Sequence, residues 1–149
     1  MDPKKEAERL LEAGFPFAQE MLEEHGEFYP FGALITHDDS LNMVAGHEEG
    51  VKIAAETVVK NLMVGFLAGA GEKQFRVVAV FSNVTVGIGE GEETKESSAI
   101  LAGIEHESGY CINVFLPYEL DEENKPTYGE LIAAPREGAV FDSAETTET

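Results

Sequence analysis

The segment from Phe75 to Val86 is apolar on both sides of a strand, and this constrains the fold more than any other feature. With the two-residue alternation of β-structure, Val78, Val80, Val84 and Val86 share one face, and Phe75, Val77, Ala79 and Phe81 share the other. A solvated antiparallel sheet has one polar face, so this strand requires cover on both sides. Two later segments repeat the pattern more weakly. Ile100, Ala102 and Ile104 alternate with Ala99, Leu101 and Gly103, while Ile112, Val114 and Leu116 alternate with Cys111, Asn113 and Phe115.

Around these strands the chain reads as α-β-β-α-β-β-β. The spacing of Ala7, Leu10, Leu11, Ala18, Met21 and Leu22 predicts a helix over Pro3–His25, with Asp2 as N-cap and Gly26 as its end. Pro16 cannot donate to the Glu12 carbonyl, which predicts a kink or break between Gly14 and Pro16. Phe28–Thr36 and Leu41–Gly46 read as a hairpin. A second helix is expected over Glu49–Ala70, apolar around more than half its circumference and so buried on two sides, with Gly65 permitting close packing. Strands follow at Phe75–Val86, Ser97–His106 and Tyr110–Tyr118, with a short sixth at Tyr128–Ala133. Residues 1–141 read as a single α+β domain and residues 142–149 as a disordered acidic tail.

The short connections predict an antiparallel meander of five to six strands with two main helices on one face, a two-layer sandwich. This element order resembles that of profilin-like and roadblock-type domains. The resemblance is one of topology and carries no site residues. With both helices on one side, the face with Phe75, Val77, Phe81, Leu101 and Phe115 becomes a candidate interface. A second copy, a partner, or the C-terminal segment with Leu131, Ile132, Val140 and Phe141 would cover it. Coverage of ~800 Å² per subunit matches a standard specific interface. Tyr29 and Phe31, in the aromatic run Glu27–Gly32, are candidates for a binding lip.

The 10 basic and 29 acidic residues give a net charge of −19, which repels phosphate backbones and anionic membrane surfaces. The same charge would steer encounter with a basic protein partner, or suit a salt-rich cytoplasm. Cys111 is the only cysteine and fits a reducing, cytoplasmic setting as a buried, inert thiol.

Three groups join histidine to carboxylates: His37-Asp38-Asp39, His47-Glu48-Glu49 and Glu105-His106-Glu107. Such side chains ligate zinc, manganese or iron. His37 and His47, however, stand roughly 20 Å apart along a strand, too far to share one ion. Gly87-Ile88-Gly89-Glu90-Gly91 lacks the following helix N-terminus that a phosphate loop needs. Ser82, Ser97 and Ser98 lack a glycine-flanked elbow. The leading expectation is therefore a non-catalytic, homodimeric interaction module, an adaptor or an acidic protein of immunity type, with no cofactor. The alternative is a small metal-dependent enzyme using His106 with Glu105, or His37 with Asp38 and Asp39, or a small-molecule sensor.

Overall fold

The Asp2 side chain accepts the Lys4 N–H at 3.0 Å and starts helix α1 (Pro3–His25). Gly26, at φ 74°, ends it by donating its N–H to the Leu22 carbonyl at 2.8 Å. The computed structural model describes residues 2–45, 54–88, 92, 95–123, 125–136, 138 and 140. α1 is followed by β1 (Phe31–Thr36), β2 (Leu41–Ala45), α2 (Ala55–Gly71), β3 (Phe75–Ile88), β4 (Lys95–His106), β5 (Cys111–Leu120), β6 (Pro126–Tyr128) and β7 (Ile132–Pro135).

The helix does not break at Pro16. That residue is exposed, so the missing hydrogen bond falls on the solvent side. The buried stripe of Ala7, Leu10, Gly14, Phe15, Ala18 and Leu22 continues on both sides of it and holds the helix together. β1 begins at Phe31 rather than Phe28, directly after Pro30, which has no N–H for the ladder. The expected sixth strand is two short ones, β6 and β7, both paired with β5. The predicted start of the second helix at Glu49, residues 89–91 of the glycine-rich loop, and the acidic tail lie outside the described residues.

All strand pairs are antiparallel, in the order β2-β1-β3-β4-β5-β6 with β7 beside β5, so the α+β class and the β3-β4-β5 meander stand as expected. The helices differ from expectation: they lie on opposite faces of the sheet. Ala33, Ile35, Val77, Ala79, Phe81, Ile100, Ala102 and Ile104 pack under α1. Leu34, Val78 and Val80 pack under α2 with Val58, Leu62 and Phe66. Each apolar face of β3 thus receives one helix, which is why both faces are apolar. The C-terminal segment adds to the α2 side, where Val140 is buried. Its N–H donates to Glu105 Oε1 at 2.8 Å, and Arg136 lies over Gly103, bonded to Glu105 and Asn113.

Glycines, Gly69 of α2 against Phe75 among them, set how close the helices come. A Cβ on Gly14 of α1 would stand 2.0 Å from Cζ of Phe81, and one on Gly32 of β1 would stand 2.6 Å from Cζ of Phe66 in α2. Gly65, in contrast, has nothing within 4 Å of a Cβ and faces open space, so it does not serve the close packing expected of it.

One buried group is left unmatched. Among the described residues the Tyr128 hydroxyl is sealed from solvent and has no hydrogen-bond partner. Burial, with smaller contributions from the Glu23 carboxylate and Tyr118, pushes its pKa up to about 12. Tyr128→Phe is therefore expected to be neutral or to stabilise by up to about 1 kcal/mol, because it removes an unsatisfied group and leaves the ring. The unfolded phenol ionises near pH 10 and the folded one only near 12, so the wild type loses stability as pH rises across that window. Denaturation midpoints at pH 7 and across pH 10–12 check both points. A variant less stable at pH 7, or with an unchanged alkaline slope, would contradict them.

Candidate functional site

The strongest cluster of titratable groups sits at one end of the sheet, where α1, the β1–β2 turn, the start of β3 and the β4–β5 turn converge. A β-bulge makes it. Ile35 pairs with Val77 but Thr36 pairs with Phe75, leaving Arg76 as the extra residue. The slip turns Arg76 toward α1 and Phe75 toward α2, where Phe75 packs edge-on against Phe66 at 5.8 Å.

Buried Arg76 donates Nε to Glu6, a terminal nitrogen to Asp39, and another to the carbonyls of Thr36 (3.1 Å) and His37 (3.4 Å). The second Glu6 oxygen meets His106 Nε2 at 2.8 Å. His106 Nδ1 accepts the Ser108 N–H at 3.0 Å, so Nε2 carries the hydrogen shared with Glu6. Asp39, at the surface, is held below the usual carboxylate range by Arg9 and then by Arg76. Asp38 is lowered by the hydroxyls of Thr36 and Ser40.

These contacts redraw the three histidine groups. His106 is partnered by Glu6, not Glu105. Glu105 lies on the opposite face and binds Arg136 and the Val140 N–H. His37 meets Glu107 at 2.8 Å rather than its neighbours Asp38 and Asp39. His47 lies outside the described residues. Among the described residues no group of three His, Cys, Asp or Glu side chains is arranged to hold a metal ion. Glu6, Arg76 and His106 are each about 4% exposed, and every one is hydrogen-bonded. Glu6, Arg76 and His106 thus tie α1 to the sheet as interior residues.

The candidate interface face is divided by the fold. Val77 and Phe81 are fully buried under α1, and Phe75 is buried under α2. These three are interior residues and cannot meet a partner. Leu101 and Phe115 pair across β4 and β5 on the α2 side and stay half-buried. Of the expected lip, Phe31 is buried and stacks on Phe81 at 4.9 Å, whereas Tyr29 remains 40% exposed. Cys111 is half-buried rather than buried.

No family model, curated protein or solved structure matches this chain. The candidate surface lies on α2. Among the described residues one side of this helix is covered: Val58, Leu62, Phe66 and Gly69 are buried, the first three in the cluster with Val78 of the sheet. The outward side, with Thr57, Lys60, Asn61, Val64, Leu67, Ala68 and Gly71, is exposed. Val64 at its centre is 67% exposed and Leu67 41%. From Thr57 to Gly71 there is no carboxylate and one cation, Lys60, in a chain of net charge −19. Beside this face runs a groove of about 410 Å³, lined by Leu34, Val44, Leu62, Gly65, Phe66 and Phe75. No helix among the described residues is long and apolar enough to cross a membrane. The sequence pattern makes α2 apolar around more than half its circumference, which predicts burial on two sides; among the described residues one side is buried.

Proposed function

We propose that the protein is a non-catalytic interaction module that forms homodimers through the outward face of α2. The exposed Val64 and Leu67, in a stretch from Thr57 to Gly71 that has no carboxylate and is flanked by Glu56 and Glu72, carry this reading. Two copies bearing −19 each repel wherever acidic surfaces meet, and the centre of this face, between Glu56 and Glu72, has the least of that repulsion. Burying the exposed Val64 and Leu67 also favours association. The lone cysteine supports a cytoplasmic setting as part of the same reading. A basic protein partner would choose the acidic surfaces, not α2.

Light scattering tests the proposal. The wild type is expected at twice 16.2 kDa at tens of micromolar protein, and Val64→Asp at 16.2 kDa. Because Val64 is exposed, the aspartate places no charge in the core. A wild type that stays monomeric through the micromolar range would remove the proposal, as would a Val64→Asp variant that stays dimeric.

A further inference from the structure

We infer that the two copies pair antiparallel, with the two-fold axis at Val64, so that Lys60 of each lies against the last turn of the other's α2; this rests on the α2 dimer proposed above. Val64 is the midpoint of the exposed face. Lys60 precedes it by four residues and Ala68 follows by four, about 6 Å along the axis in each direction. Thr57 and Gly71 stand about 10 Å away at either end of the face. A two-fold axis across the helix therefore places Val64 on its own copy, Lys60 level with Ala68, and Thr57 level with Gly71.

The placement of Lys60 separates this arrangement from the parallel one, since the exposed Glu56 meets a carboxylate in both, Glu72 in the antiparallel pair and Glu56 in the parallel one. The carbonyl end of a helix carries a partial negative charge. The last turn of α2 contains no basic residue, and its cap is the acidic Glu72; the nearest cation of its own, Lys73, follows the cap. Antiparallel pairing brings in a cation, the partner's Lys60, at that turn. It also opposes the two helix dipoles. Parallel pairing would set Lys60 against Lys60 at the same level and align the dipoles. Gly65, Ala68 and Gly71 add little bulk, and no atom lies within 4 Å of a Cβ at Gly65 or Gly71, so a second backbone can approach.

Disulfide trapping reads the geometry. In a Cys111→Ser background, Val64→Cys is expected to form a covalent dimer under mild oxidation. A mixture of Thr57→Cys and Gly71→Cys proteins is expected to cross-link, while Thr57→Cys alone is not. Ready self-linkage of Thr57→Cys would show parallel pairing and overturn the inference. So would failure of Val64→Cys to link in a sample whose scattering mass is that of a dimer. If Val64→Asp still dissociates the protein in either case, the α2 dimer stands and only its geometry falls. If the Cys111→Ser background does not fold, Cys111→Ala takes its place.

Discussion

Arg76→Met is expected to destabilise the protein by about 3–5 kcal/mol, measured as a shift in chemical denaturation at pH 7. Arg76 and Glu6 are both nearly inaccessible, and Arg76 supplies three separate nitrogens to Glu6, Asp39 and the turn carbonyls. Methionine fills similar space but leaves the Glu6 carboxylate buried, with His106 as its one remaining side-chain hydrogen-bond partner among the described residues. The loss comes mainly from that stranded charge, because an ion pair replaced whole by apolar groups costs far less. Glu6→Gln combined with Arg76→Met should therefore cost less than the sum of the two single changes. Arg9→Met is the control. Its bond to Asp39 lies at the surface, at 40% and 65% side-chain exposure, where such pairs contribute roughly 0–1 kcal/mol. An Arg76→Met cost no larger than that of Arg9→Met would show that the cluster does not anchor α1.

The contrast between these arginines shows what was legible in the sequence. The ends of α1 were readable because capping is local: Asp2, Pro3 and Gly26 act within one turn. The strands were readable because alternation is local too. The helices' placement on opposite faces was not. Periodicity reports that Val78 and Val80 need cover but not which element supplies it. The bulge was equally silent. It moves Phe75 to the α2 side and Arg76 to the α1 side, so simple alternation put Phe75 on the wrong face. His106 and Glu6 stand 100 residues apart, and no spacing rule links them. Glu105 and Glu107 are adjacent to His106 in the chain, but alternation directs both away from it.

The same limit governs α2. Its composition announced a helix with more apolar surface than one neighbour can cover. Whether the second side meets protein or solvent depends on the number of layers above it. Once α1 occupies the opposite face of the sheet, none of the helices described remains to cover the outer side of α2. The dimer motive therefore passes from the sheet, where the helices and Val140 bury most of the apolar residues and leave Leu101 and Phe115 half-buried, to the helix surface at Val64 and Leu67.

Phe81→Ala is expected to cost about 3–5 kcal/mol, and to reverse the sign of a second substitution. The Phe81 ring is fully buried, stacked on Phe31 at 4.9 Å and met edge-on by Phe15 at 5.8 Å. Gly14 is the reason α1 can lie this close, since a methyl there would stand 2.0 Å from the ring's far carbon. In the wild type, Gly14→Ala should destabilise by about 1–3 kcal/mol, because overpacking outweighs the gain of up to about 1 kcal/mol from replacing a mid-helix glycine. With Phe81 truncated, the space is vacated and only the helix gain remains. Gly14→Ala should then stabilise the Phe81→Ala protein by about 0.5–1 kcal/mol. Four denaturation curves complete this double-mutant cycle. If Gly14→Ala has the same effect in both backgrounds, ring and glycine are not coupled, and α1 is not seated on the sheet through that contact.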